Sequence, residues 1–170
     1  MSKCIYVIDT SSLIKFNPER YPYDIFSSIW GDIENLIGKR RIVTPKLVKE
    51  EIRKKNDKLN EWANQNKNMF LDFTKMQAKF IRKIMNTKDF QALVDNKIGV
   101  DPVLISVAME INKKDQKILC PSGKLTDRRA VVVTEEELNG NKVKIPYVCD
   151  HFGIECISIF ELFRREGWKY

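Results

Sequence analysis

Residues 3–12 read KCIYVIDTSS, and this stretch decides the fold. Ile5, Val7 and Ile8 are β-branched and Tyr6 is aromatic, which suits a pleated strand. The run is apolar without alternation, so it predicts a central parallel strand covered on both faces. Asp9 ends the strand, and Thr10, Ser11 and Ser12 can cap a short helix through Leu13 and Phe16. Residues 17–23, NPERYPY, hold two prolines and are expected to be irregular.

Outward from there, strands and helices alternate. Asp24 is expected to cap a helix whose stripe is Ile25, Ile29, Ile33, Leu36 and Ile37, with Gly38 as its stop. Residues 41–44 read as a second strand, and Pro45 opens a helix carrying Leu47, Val48, Glu51 and Ile52. Residues 57–98 read as wholly helical, with Met69, Phe70, Phe73, Met76, Phe80, Ile81 and Ile84 as a core-facing stripe. Asp101 is expected at a helix N-cap, with Pro102 at the first helical position. Residues 130–134 form the third clear strand, Ile145-Pro146 opens another helix ended by Gly153, and residues 155–159 and 160–168 give a last strand and helix. This alternation predicts an α/β sandwich with a mainly parallel sheet, one domain spanning 1–170.

The composition excludes several classes. With 43% apolar and 31% charged residues among 170, the chain is globular rather than disordered. No apolar run approaches the roughly 20 residues of a membrane span, and the apolar start is too short for a secretory signal. No membrane partner is therefore expected, and the expected setting is the cytoplasm. Cys4, Cys120, Cys149 and Cys156 include no C-x-x-C pair, and His151 is the single histidine. A thiolate zinc site and a histidine-based triad are both poor fits, and reduced thiols are expected.

The net charge of +7 is concentrated. Residues 39–88 hold 15 Lys/Arg against 5 Asp/Glu, including Lys39, Arg40, Arg41, Lys46, Lys49, Arg53 and Lys54. A field of this sign attracts polyanions, although a charge run is as often a solvated helical face. Ligands of open parallel sheets bind beyond the carboxyl ends of the strands. Asp9 ends the first strand, Glu136 lies two residues past VVVT with Glu135 and Glu137 beside it, Asp101 opens a helix, and Glu51 sits in the helix after strand two. Four acids from four elements can thus meet at one sheet edge. Carboxylates in a basic surround suit a metal-dependent site acting on nucleic acid.

The segment YVIDTSSLI resembles the opening of PIN-domain nucleases. TPKLVKEEI is similar to their second segment, VDPVLISVAMEI to the third and VVVTEEE to the fourth, while the closing stretch resembles an uncharacterised bacterial toxin-like subgroup. The resemblance selects Glu51 over Glu50 and points to Glu136, where the family commonly has aspartate, with Glu135 left open. It implies a three-layer α/β/α sandwich with a helical insert near 57–98. It also implies an Mg²⁺- or Mn²⁺-dependent endoribonuclease acting on RNA, often a toxin held by a cognate antitoxin protein and commonly a homodimer. The implied catalytic set is Asp9, Glu51, Asp101 and Glu136, with Asp9, Asp101 and Glu136 as metal ligands. Thr10, Ser11 and Thr134 would support them, and Lys39, Arg40, Arg41, Lys46, Lys49, Arg53 and Lys54 would hold the nucleic-acid backbone. Hard oxygen ligands suit these cations. The alternative is a PIN-type fold that has lost its chemistry and serves as a nucleic-acid-binding or protein-interaction module.

Overall fold

The structure, a computed structural model, describes residues 4–55, 57–87, 90, 100–115, 129–137 and 144–169. Its centre is a five-stranded parallel sheet: β1 (Ile5–Ile8), β2 (Ile42–Pro45), β3 (Phe70–Leu71), β4 (Ala130–Val133) and β5 (Glu155–Ile157), in the order β3-β2-β1-β4-β5. The helices are α1 (Thr10–Lys15), α2 (Ser27–Gly38), α3 (Lys46–Lys55), α4 (Asp57–Gln65), α5 (Lys75–Met85), α6 (Val100–Asp115), α7 (Ile145–His151) and α8 (Ile159–Arg165).

Successive residues of a strand face opposite sides of the sheet, and here both sides are apolar. Tyr6, Ile8, Val131 and Val133 join Leu13, Trp30, Ile52, Trp62 and Leu162 in one core layer. Val7, Ala130 and Val132 join Leu104, Ala108, Val148 and Cys149 in the other. The result is a three-layer α/β/α sandwich, as the strand patterns imply. Each large apolar side chain fully withdrawn from water contributes about 1.5–3 kcal/mol. The Trp62 indole N–H does not go unpaired, because it donates to Glu34 Oε1 at 3.1 Å.

Three expectations are corrected. Residues 57–98 are not wholly helical: α4 ends at Gln65, a short 3₁₀ turn covers Lys67–Met69, and β3 pairs with Thr44 and Pro45 before α5 begins. Within the expected stripe, Met69, Phe70, Ile81 and Ile84 are buried, but Phe73 follows the sheet edge and is 60% exposed. Of the expected helical stretch, residues 88, 89 and 91–98 lie outside the described residues. The helix expected from Asp24 starts at Ser27 instead, leaving Ile25 69% exposed. Asp101 is not an N-cap, since α6 begins at Val100 and Asp101 lies in its first turn.

A buried polar tie joins α5 to α6. Thr74 caps α5 by accepting from Gln77 N at 3.1 Å, and it donates its hydroxyl to Glu110 Oε2 at 2.9 Å. Gln77 Nε2 donates to the same oxygen at 2.8 Å. Among the described residues no helix is long and apolar enough to cross a membrane.

Candidate active site

The chain lays strands outward from β1 through β2 to β3, then returns to place β4 on the other side of β1. Parallel sheets form their ligand crevice at such a reversal, beyond the carboxyl ends of the two strands. Asp9 leaves β1 there and Thr134 leaves β4, and Asp9 N donates to Val133 O at 2.8 Å.

Asp9 is 5% exposed and serves as the N-cap of α1. Its Oδ2 accepts from Ser11 N at 3.2 Å, Ser11 Oγ at 2.6 Å and Thr134 Oγ1 at 3.1 Å. The hydroxyls in turn accept from the next backbone amides, Ser11 Oγ from Glu135 N at 3.0 Å and Thr134 Oγ1 from Glu136 N at 3.2 Å. The two hydroxyls also lie 3.2 Å from each other, and each oxygen fixes the chain leaving β4. Among the described residues Oδ1 of Asp9 takes no hydrogen bond, so three donors hold one oxygen and leave the other available.

Glu51 reaches the same edge from α3, where its Oε2 accepts from the buried Thr10 hydroxyl at 2.5 Å. Glu136 is half-buried, and its Oε2 accepts from Ile145 N at 3.0 Å, which ties it to the first residue of α7. Asp101, in the first turn of α6, feels the charge of all three other acids. Burial, then the negative charges of Glu136, Asp9 and Glu51, push its carboxyl up to about 6 from an ordinary 3.8. Only a hydrogen bond from its own backbone acts the other way. Asp101 therefore lies within electrostatic reach of the other three acids singled out in the sequence. Among the described residues, however, no three carboxylate, imidazole or thiol groups are drawn close enough to form a ready-made metal cage.

Glu135 has a different use. Its Oε1 accepts from Ile159 N at 2.8 Å and Ser12 Oγ at 3.4 Å, and its other oxygen pairs with Lys15. It secures the start of α8, whereas Glu136 faces Asp101. Both line a cleft of about 450 Å³ with Thr134, Lys15, Pro146 and Cys156. Lys15 is not legible as a cleft residue, because it lies outside the basic stretch. Nor is Cys156 of β5, a free thiol in the same cleft.

The nominated basic residues divide between two edges. Lys46, Lys49, Arg53 and Lys54 lie on α3, which starts at the carboxyl end of β2. Of these, Lys46 pairs with Asp72, Arg53 pairs with Glu50 at 3.0 Å, and Lys49 lies 5.6 Å from the Phe70 ring centre. Lys39, Arg40 and Arg41 precede β2, at the amino edge, so they are not placed to hold a ligand at the acids. Arg41 is committed to structure, with Nη1 and Nη2 each 2.6 Å from a Glu166 oxygen.

No curated protein and no solved structure matches the chain. A family model described as a domain of unknown function, DUF4411, matches residues 6–170, and the chain belongs to that family.

Proposed function

We propose that this chain is a divalent-cation-dependent nuclease of the PIN type, hydrolysing phosphodiester bonds in RNA. The observation that carries this reading is Asp101, a half-buried carboxyl set against three other acids from three other elements. Clustered carboxylates resist full ionisation unless a cation offsets them. The donor set fits such a cation, since it is made wholly of hard carboxylate oxygens, the preferred ligands of Mg²⁺ and Mn²⁺. Asp9, Asp101 and Glu136 would hold the ion. When bound, the ion supplies Lewis acidity and a bound water of lowered pKa.

The remaining work falls to the chain. Ser11 and Thr134 fix Asp9 so that only one of its oxygens is offered. Thr10 orients Glu51, which would accept a proton from an attacking water. The amide–hydroxyl stitches hold the exits of β1 and β4 in register, so the acids do not have to be ordered at each encounter. Lys46 and Lys49, on the same sheet edge, favour a phosphate backbone.

The test is a cleavage assay on a labelled single-stranded oligoribonucleotide. Cleavage is expected with Mn²⁺ and absent with EDTA. Asp9→Asn is expected to lower the rate by about a hundredfold or more, since even groups supporting a metal ligand carry 10–100-fold effects. Cleavage that survives EDTA or is unchanged in Asp9→Asn would overturn the reading. A second reading, a binding module without chemistry, draws support from Glu136, whose carboxylate is engaged by Ile145 N. RNA binding by wild type with no cleavage at any Mn²⁺ concentration would favour it.

A further inference from the structure

An apolar groove of about 290 Å³ is lined by none of the four acids and has no role in their site. It is lined by Leu47, Leu71, Phe73, Gln77, Ile81 and Val103, with Lys46 at its side. Its position follows from the sheet. Leu71 ends β3, Leu47 lies one helical turn before Glu51 on α3, and Val103 lies two residues after Asp101 on α6. The groove therefore lies at the carboxyl ends of β2 and β3, on the helices that carry Glu51 and Asp101.

Two features do not fit a spare crevice. Phe73 and Leu47 leave apolar surface in solvent, at 60% and 43% exposure. Gln77 is only 2% exposed, and its orientation is fixed from behind. Its Nε2 donates to the Glu110 carboxylate, so the opposite end of the amide must be the oxygen. That Oε1 accepts no hydrogen bond among the described residues. A buried acceptor without a donor is costly, and a ligand donor would recover that cost.

We propose that this groove is a base subsite, seating one unpaired nucleobase of the strand whose phosphate lies at the acids. The base stacks against Phe73, and an exocyclic amine donates to Gln77 Oε1. This deepens the nuclease reading and rests on it for the neighbouring phosphate. A groove near 300 Å³ lies at the lower end of small-ligand sites. An aromatic ring beside a lysine is the combination single-strand binders use, with base–aromatic stacking tolerant of sequence. The acceptor adds a preference. Adenine and cytosine present an exocyclic amine at their pairing edge, whereas the N3–H of uracil is flanked by two carbonyls that would face Oε1.

The experiment is equilibrium binding of labelled hexamers of adenylate, cytidylate and uridylate to the full chain in EDTA, where no cleavage competes. Wild type is expected to bind the adenylate and cytidylate hexamers several-fold more tightly than the uridylate hexamer. Phe73→Ala, at an exposed position, is expected to weaken binding on the order of tenfold, and Phe73→Trp to retain it. Gln77→Met, with folding checked by circular dichroism, is expected to erase the preference among bases. Equal binding by wild type and Phe73→Ala overturns the subsite, as does no detectable binding by wild type. A change of oligomeric state in Phe73→Ala with RNA binding unchanged also overturns it and assigns the groove to a second copy. The two readings fail separately. Hexamer binding that depends on Phe73 without Mn²⁺ cleavage sinks only the nuclease, whereas cleavage and binding indifferent to Phe73 sink only the subsite.

Discussion

Asp101→Asn is expected to abolish phosphodiester cleavage and, in the same protein, to make the metal-free fold more stable. The two effects share one cause. In the folded chain, burial and the charges of Glu136, Asp9 and Glu51 raise the Asp101 carboxyl from 3.8 to about 6. Above pH 6 the group is ionised both folded and unfolded, so folding must place a charge where it is disfavoured. A shift of this size amounts to about 2 kcal/mol once its partial exposure is allowed for, at about 1.4 kcal/mol per unit. The sign follows from linkage. The penalty is fully present above about pH 6 and fades as the pH falls through the folded value, and it is absent below the ordinary value of 3.8. In urea unfolding with EDTA, Asp101→Asn should exceed wild type by about 2 kcal/mol at pH 7.5, and the difference should close toward pH 4. A variant less stable than wild type at pH 7.5 would show that the carboxylate is held by favourable partners rather than by repulsion.

The second large effect is expected at the opposite edge of the sheet. Glu166 accepts two guanidinium bonds from Arg41 and the Tyr6 hydroxyl, all at 2.6 Å, while Arg41 Nε donates to Cys4 O at 3.1 Å. Burial alone would raise the Glu166 carboxyl, but the hydrogen bonds from Arg41 and Tyr6 outweigh it and hold the group below the usual range. Burial and the Glu166 carboxylate together push the Tyr6 hydroxyl upward, so it stays a donor. Glu166→Ala strands a guanidinium and a phenol that are both largely out of water, and it should cost about 3 kcal/mol at neutral pH. For an acid lowered in the folded state, this stability is present above the ordinary carboxylate value and lost as pH falls through the folded one. Wild type should therefore lose stability in acid more steeply than the variant. Cleavage at a temperature where both are folded should be unchanged, because the network is remote from Asp9. A loss below about 0.5 kcal/mol, the size of an ordinary surface effect, would contradict this assignment.

How far this was legible from the sequence varies by residue. Asp9 and Glu136 follow continuous apolar runs, and such runs mark buried parallel strands whose carboxyl ends share an edge. Thr10, Ser11 and Thr134 are legible because they flank those acids. Two-residue β3 is not legible, since Phe70–Leu71 lies within a helical-period stripe and its strand character comes only from pairing with Thr44 and Pro45. Phe73 falls on the same stripe, and periodicity carries no information that the chain turns after Leu71. Asp101 lies two positions past the cap, because α6 already includes Val100. Arg41 shows the limit of charge counting, because the sign of a residue does not say which sheet edge it occupies. Its partner Glu166 lies 125 positions away. Glu135 and Glu136 are adjacent and chemically alike, and only the position of Lys15 and of the start of α8 separates their roles.

The central claim is that Asp9, Glu51, Asp101 and Glu136 together form a cation site. Calorimetric titration of Mn²⁺ into the metal-free chain at pH 6 addresses it directly, because Asp101 titrates there and ion binding must expel its proton. Saturable uptake accompanied by proton release is expected for wild type, with both signals lost in Asp101→Asn. No saturable uptake by wild type, or uptake undiminished in Asp101→Asn, would contradict the claim.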